Sequence, residues 1–421
     1  MDFIKTPVKG MRDQLPGDVR LRQRVMGMIR ETYSRYGFTE IETPAMEHIE
    51  NLSNKQGGEK EKLIFKILKR GRDLDKVLEA GGTDFADTGL RYDLTVPLSR
   101  YYAANAAQLP SPFKALQIGS VWRADKPQKG RFRQFTQCDI DILGDGSALA
   151  EIELIAATSE MLSRIFAEVG IRDFTVHVSD RRILSGMAKF AGFREEDFGN
   201  VFIILDKLDK IGLDGVKEEL LKAGYAADAV EKCTAIFAGD LTGKRPKEFC
   251  AFLDESCLDP AVPETLEQIL ECVAAMKREG VSIVFDPTLV RGMGYYTGTI
   301  FECTIDGYGF AIAGGGRYDK MIGKYSGTDV PACGFSIGFE RIITILQDHA
   351  DRIGGAQEAG VAILAEKNLP IEKLSAAFAR AQQLRGAGRT VTVQTMKKNI
   401  RRQIELLEAE GYTEIEKVYK N

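Results

Sequence analysis

The sequence predicts an α+β protein built on an antiparallel sheet, followed by a smaller α/β unit. Three observations carry that expectation. Residues 115–122 and 132–143 are strand-like runs around a polar turn, the pattern of a β-hairpin. Residues 182–280 change texture to amphipathic helical segments, such as 215–221, with few strand signals. From Val361 onward the chain reads strand, helix, strand, helix, strand, which argues for a small parallel sheet with helical crossovers.

The elements follow in order. Val19, Val25, Met26, Ile29 and Tyr33 supply a helical apolar face after Pro16-Gly17, and Gly37 is placed to end it. Residues 38–41 read as a strand stopped by Pro44, with further short strands expected at 63–68 and 90–96. The hairpin comes next, its tip formed by Ala124-Asp125-Lys126-Pro127-Gln128-Lys129-Gly130. A helix then turns Ile152, Ile155, Ala156, Met161 and Leu162 inward. After the helical stretch, strands return at 281–285, 299–305 and 310–313, and 334–338 leads into a helix near Phe339. Residues 351–356 read as a linker. Beyond it, 361–365 is a strand, and Leu374, Ala377, Phe378, Ala381 and Leu384 make a helix face that Gly386 and Gly388 can stop. A strand at 391–393, a helix carrying Ile400, Ile404 and Leu407 with Gly411 as its stop, and a strand at 415–419 complete the unit.

Composition narrows the class. With 421 residues there is room for two or three domains, and 44% hydrophobic with 28% charged residues is globular in character. No run approaches the roughly 18 apolar residues of a membrane span. The start, Met1-Asp2-Phe3-Ile4-Lys5, lacks the build of a signal peptide, so a cytoplasmic protein is expected. Seven scattered cysteines form no CxxC pair, and no histidine lies at zinc-finger spacing from them; reduced thiols are expected, without zinc. The three histidines, His48, His177 and His349, stand away from the Arg/Gly-rich segments, which disfavours chemistry built on a histidine base. A net charge of −4 argues against wholesale nucleic-acid binding, while leaving local basic patches open to RNA.

Several segments join Arg with Gly or carboxylates at expected strand ends or turns. In Arg91-Tyr92-Asp93-Leu94-Thr95, a strand would put Asp93 and Thr95 on one face, where they could hold an ammonium group; a surface turn is the other reading. The hairpin crowds five cations into one turn, as a solvated tip or as a site for phosphate or RNA. On its returning strand Arg133, Phe135, Gln137, Asp139 and Asp141 alternate to one face. Arg291-Gly292-Met293-Gly294-Tyr295-Tyr296 and Gly314-Gly315-Gly316-Arg317-Tyr318-Asp319 offer close backbone approach to a ligand, or are plain glycine turns. Neither fits a Rossmann or P-loop pattern. Finally, 334–341 puts Arg341 in the first turn of a helix, where anions are favoured.

In this order and combination the segments resemble the histidyl-tRNA synthetase family. Residues 37–44 are similar to the strand ending in Pro at that family's dimer interface, 122–141 to its second class II motif, and 334–341 to its third. RGMGYY at 291–296 and GGGRYD at 314–319 resemble two signatures particular to the histidine enzymes and their paralogues. The likeness runs from about Thr6 to the end. It implies a class II synthetase antiparallel sheet with flanking helices over 1–181 and 281–350, and a helical insertion over 182–280. An anticodon-binding-like α/β domain that looks short would occupy 357–421. It implies a histidine–tRNA ligase that makes histidyl-adenylate from L-histidine and ATP, with Mg²⁺, and passes histidine to the 3′ end of tRNA(His). A homodimer without membrane attachment is implied too.

Carried over residue by residue, Arg123 and Arg341 match arginines that bind ATP phosphates. Arg291 matches one near the α-phosphate and the substrate carboxylate, and shares the catalytic role with Arg123. Asp93, Thr95 and Gln137 match groups at the histidine α-amino end. Asp141 and Tyr296 match positions at the imidazole, with Tyr295 and Tyr318 lining the pocket. Arg131 sits in the loop used near the nucleotide and the tRNA acceptor end. No protein ligand for a metal is assigned. Gly294 stands where many relatives carry Asp. The alternative is a paralogue, the non-catalytic regulatory subunit of ATP phosphoribosyltransferase, which tends to lose the ATP-binding arginines that are present here.

Overall fold

The first helix forms where its apolar spacing demands. In α1 (Pro16–Arg35), Val25, Ile29, Thr32 and Tyr33 are buried along one face. Gly37, with φ of 80°, turns the chain from that helix into β1 (Thr39–Glu40). The structure, a computed structural model, describes residues 3–53, 63–127, 131–239, 243–290, 294–349 and 360–421. Two compact units result, the first comprising Met1–Gln14 and Leu21–Ala350 and the second Leu15–Arg20 and Asp351–Asn421.

In the first unit, β2 (Met46–His48), α2 (Ile49–Leu52), β3 (Lys66–Leu68), α3 (Arg72–Glu79) and β4 (Ala86–Leu90) supply a small antiparallel sheet ordered β2-β4-β3. After α4 (Thr95–Asn105) comes the hairpin of β5 (Phe113–Trp122) and β6 (Gln134–Leu143), then α5 (Leu149–Ala167) and β7 (Phe174–Asp180). Six helices follow: α6 (Arg181–Ala191), α7 (Phe198–Leu205), α8 (Leu208–Lys222), α9 (Ala227–Phe237), α10 (Pro246–Cys250) and α11 (Ala261–Ala275). The chain returns through β8 (Val281–Phe285), β9 (Thr299–Thr304), β10 (Ala313–Arg317), α12 (Gly323–Ser326), β11 (Ala332–Ile337) and α13 (Phe339–Asp348). The large sheet has eight strands in the order β1-β5-β6-β11-β10-β9-β7-β8. Only its two outermost pairs, β1 with β5 and β7 with β8, are parallel. An antiparallel sheet with flanking helices is thus the architecture, as expected.

Three local expectations fail in this unit: the strand expected at 310–313 begins only at Ala313, as β10, and two others fail for physical reasons. Residues 90–96 were expected as a strand, yet the sheet ends at Leu90 and α4 begins at Thr95. Asp93 Oδ1 accepts from the Val96 N–H at 3.0 Å, so the acid satisfies a donor that the first helical turn leaves without a helical partner, and the chain helicates. Asp93 and Thr95 therefore do not share a face by strand alternation. The glycines of GGGRYD, expected in a turn, lie inside β10, where every residue from Ala313 to Arg317 is buried. A Cβ on Gly315 would come within 2.0 Å of the Gly334 carbonyl oxygen, so the neighbouring strands require glycine there.

In the second unit, β12 (Gly360–Ala365), β13 (Val391–Thr395) and β14 (Tyr412–Val418) form a parallel sheet ordered β13-β12-β14. Helix α14 (Ile371–Gly386) packs Ala377 and Ala381 on Val361, Ile363 and Val391, while α15 (Ile400–Ala409) sets Leu407 against Ala362 and Leu364. β12 is buried on both faces, the usual position of a central parallel strand. Of the expected α14 face, Ala377, Ala381 and Leu384 pack on this sheet, whereas Leu374 and Phe378 are exposed. The expected linker at 351–356 lies outside the described residues, and no described helix is long and apolar enough to cross a membrane.

Candidate active site

Strand alternation on β6 puts Gln137, Asp139 and Asp141 on one face of the large sheet, and all three are buried. Their neighbours on β11 are Ser336 beside Asp139 and Gly334 beside Asp141; on β10 they are Gly314 and Gly316. Two of these glycines keep the sheet surface bare. A Cβ on Gly334 would lie 1.9 Å from Asp141 Oδ1, and one on Gly316 would lie 2.5 Å from the Thr299 carbonyl oxygen and 3.0 Å from the Tyr296 ring. A row of acids thus runs beside a floor of backbone.

Tyrosines wall the row. The Tyr318 hydroxyl donates to Asp141 Oδ1 at 2.6 Å, and Gln137 Nε2 donates to Ser336 Oγ at 2.9 Å. Tyr295 sits between Tyr296 and Tyr318, with ring centroids 4.9 Å and 6.1 Å away, and its hydroxyl bonds to Thr95. Asp93 joins from the loop before α4, where it is buried.

Burial pushes the Asp141 carboxyl up to about 7, with the Tyr318 hydroxyl holding it down and the Asp93 charge adding to the rise. Burial also lifts Asp139 well above the usual carboxylate range, and the charge of Asp141 lifts it further. Gln137 Oε1 and Asp141 Oδ2 have no hydrogen-bond partner among the described residues. Desolvated acids and unmet polar atoms of this kind suit a ligand that brings cationic or N–H groups.

Cations flank the row. Arg123, just beyond β5, donates from Nε to the Tyr92 carbonyl at 2.8 Å and lies 5.2 Å from the Phe135 ring centroid; its charge reaches Asp139. Arg341, in the first turn of α13, borders the floor at Gly338, bonds the Ala311 carbonyl and lies over Phe310. Arg131 stands apart, with a half-exposed side chain 3.6 Å from Asp125. Arg291, Gly292 and Met293 lie outside the described residues, as do Gln128, Lys129 and Gly130 of the hairpin tip. Gly294 has open space at its Cβ position, so steric exclusion does not explain why it lacks a side chain.

The structure brings together Asp93, Thr95, Gln137, Asp141, Tyr295, Tyr296 and Tyr318. It adds Asp139 and Ser336, to which the sequence reading gave no role. Alternation put Asp139 on the right face, but its burial depends on pairing with β11. The histidines lie elsewhere. His177 is bracketed by Asp286 and Thr304, each at 3.0 Å, His349 meets the Tyr308 hydroxyl at 3.2 Å, and His48 is exposed.

The family profile of histidyl-tRNA synthetase matches residues 10–342. The chain belongs to the histidyl-tRNA synthetase family. It is 43% identical over 417 residues to a protein of Leifsonia xyli named histidine–tRNA ligase, covering 97% of this chain and 94% of that one. It is 38% identical over 352 residues to a ligase of the same name from Cytophaga hutchinsonii, covering 81% and 76%. The solved histidyl-tRNA synthetase of Nostoc sp. PCC 7120 superposes with a TM-score of 0.76 at 29% identity, over 98% of this chain and 90% of that one. A Bacillus halodurans protein described as an ATP phosphoribosyltransferase regulatory subunit/histidyl-tRNA synthetase also superposes at 0.76, over 99% of each chain. At 20% identity that likeness speaks to fold alone. The chain is an aminoacyl-tRNA synthetase of class II fold, and the regulatory-subunit alternative gains no support.

The Tyr318 hydroxyl helps set the charge of Asp141. Because the Tyr318 hydroxyl favours its ionised form, Tyr318→Phe should raise the Asp141 pKa by roughly one unit, the worth of one hydrogen bond to a charged group. Carboxyl ¹³C shifts followed through a pH titration would read it. An unmoved or lowered midpoint would remove Tyr318 as the group that holds Asp141 down.

Proposed function

We propose that this chain condenses L-histidine with ATP to histidyl-adenylate and pyrophosphate, then passes histidine to the 3′ end of tRNA(His). One observation carries the reading: a buried acid row walled by tyrosine and floored by glycine, with Arg123 and Arg341 flanking it. A molecule with an ammonium and an imidazole at one end, and a carboxylate that must meet phosphate at the other, suits that polarity.

Asp93, Thr95 and Gln137 take the α-ammonium, and Asp141 and Tyr296 take the imidazole nitrogens. Tyr295 and Tyr318 close the pocket, Tyr318 also fixing the Asp141 carboxyl. The histidine carboxylate is already a nucleophile, so its attack on the α-phosphorus requires no base. Catalysis then rests on in-line positioning and on cations at the transition state. Arg123 and Arg341 hold the ATP phosphates, Arg291 meets the α-phosphate and the histidine carboxylate, and Arg131 serves the nucleotide and the acceptor end. ATP enters as its Mg²⁺ complex. Mg²⁺ favours phosphate and water oxygens, which would supply its ligands here. The reading needs no zinc. In the second step a ribose hydroxyl of tRNA attacks the adenylate carbonyl and AMP leaves. The cytoplasm is the proposed compartment, which cell fractionation checks.

Histidine-dependent ATP–pyrophosphate exchange tests the activity directly; its absence from the pure, folded protein would sink the proposal. Arg291→Ala should slow adenylate formation by roughly a hundredfold or more, as for one lost oxyanion-type donor. An unchanged single-turnover rate would clear Arg291 of that role.

The second unit is proposed to bind tRNA without taking part in chemistry. Lys397, Lys398, Arg401 and Arg402 are exposed around the start of α15, though Glu405 pairs with both arginines and weakens the cluster. A chain ended at Gly354 should keep pyrophosphate exchange, bind tRNA less tightly and show a shallower salt dependence. Equal tRNA KM and salt slope in the two proteins would refute this.

A homodimer through the β1 region, at one edge of the large sheet, completes the proposal. Sedimentation at micromolar concentration should return twice the chain mass, and a fully active monomer would contradict it.

A further inference from the structure

Asp139 is the member of the acid row without a role in that mechanism, yet it is 3% exposed at the centre of the pocket. By strand geometry it stands roughly 7 Å from Asp141 on the same face. The charged and titratable groups acting on it come from every side. Asp93 and Arg91 face it from the loop before α4, Arg123 from beyond β5, Tyr295 from before β9, and Tyr33 from α1; Cys138 and Asp141 adjoin it on β6. Of these only the arginines are cationic, and Arg91 is engaged by the carbonyls of Thr43 and Ser120. Hydrogen bonding is thin as well: Gln137 Nε2 lies 3.4 Å from each carboxylate oxygen, with the Ser336 hydroxyl as a further donor. Gln137 Oε1 and Asp141 Oδ2, on either side, have no partner among the described residues. Buried acids placed this way retain protons, and close carboxyls titrate as a pair.

We propose that the coupled Asp139 and Asp141 carboxyls carry one proton in the unliganded pocket, and that histidine displaces this proton to solvent as it binds. The proposal rests on the histidine reading of the site and adds its proton inventory. The α-ammonium carries one positive charge into a cage of three carboxyls and favours their ionised forms; one positive charge enters and one proton leaves. The sign follows. A pair protonated when free and ionised when liganded binds more tightly as pH rises through the free pair's titration, and loses affinity as pH falls through it. Burial sets Asp141 at about 7 and raises Asp139 as well, so the change falls around neutral pH.

Titration calorimetry of L-histidine in buffers of unlike ionisation enthalpy counts the protons. Near pH 7 the intact protein should release about one proton or a substantial fraction of it. L-Histidinol, which keeps the ammonium and imidazole but lacks the carboxylate, should release the same number. Asp139→Asn preserves shape and should cut the release by more than about half, flattening affinity between roughly pH 6 and 8. Ser336→Ala removes a hydroxyl that favours ionised Asp139, and should move the midpoint of the affinity curve upward. Zero linked protons, or net uptake signifying a bound imidazolium, would overturn the proposal, as would unchanged release in Asp139→Asn. Should that variant fail to fold, the histidinol and Ser336→Ala results still decide. If L-histidine does not bind at all, the histidine reading itself falls, and this one with it.

Discussion

Gly334 has no room for a side chain, because Asp141 Oδ1 lies 1.9 Å from where its Cβ would be. Much of the site depends on that one approach. It brings the acid of β6 over the backbone of β11, where the Tyr318 hydroxyl can reach it. On the opposite face Gly315 makes the same close approach to the Gly334 carbonyl and to the Phe301 ring, so the central strands are tight on both sides. Glycines weaken a strand in isolation. Here β10 is buried along its whole length between β9 and β11, and packing outweighs propensity.

The acid row has an electrostatic cost that the surrounding fold offsets without neutralising it. Glu340 accepts from Arg12, Arg22 and the Thr136 N–H, tying the N-terminal segment and α13 to the hairpin. Arg317 is held by both oxygens of Glu151 at 2.7 and 2.6 Å and by the carbonyls of Asp145 and Ser147. Removing one partner of such a buried pair costs about 3–5 kcal/mol, because the other charge is left uncompensated. Arg91 donates from Nε to the Ser120 carbonyl and from Nη1 to the Thr43 carbonyl. The buried cations beside the site are therefore engaged elsewhere, and the carboxyls remain available to a ligand.

How much of this was legible in the sequence depends on the range of the interaction. The hairpin, α1 and the βαβαβ order of the second unit follow from local periodicity, and all formed as expected. Asp93 was misplaced because its carboxyl competes for a helix N–H, an effect stronger than the strand-like look of residues 90–96. GGGRYD reads locally either as a glycine turn or as backbone open to a ligand; only the approach of β11 shows that a strand needs glycine there. Leu374 and Phe378 misled in the opposite sense: helical spacing finds an apolar face, but Ala377 and Ala381 fit closest to β12. Tyr318 was recognisable from its motif, whereas Asp139 and Ser336 acquire meaning only through the β6–β11 register.

The two ends of the site divide the work on physical grounds. The acid end is buried, with Asp141, Gln137 and Tyr318 each under a tenth exposed. A ligand that fails to satisfy those groups leaves buried polar atoms unpaired, the strongest discrimination a pocket offers. The cationic end is more open: Arg123 and Arg341 are only half-buried, and Arg131 is exposed. Arginines there can follow charge as it develops on phosphate while contributing little to the choice of amino acid. On the proposed reading, selectivity belongs to the acid row and rate to the arginines, so altering one end should leave the other's task largely intact.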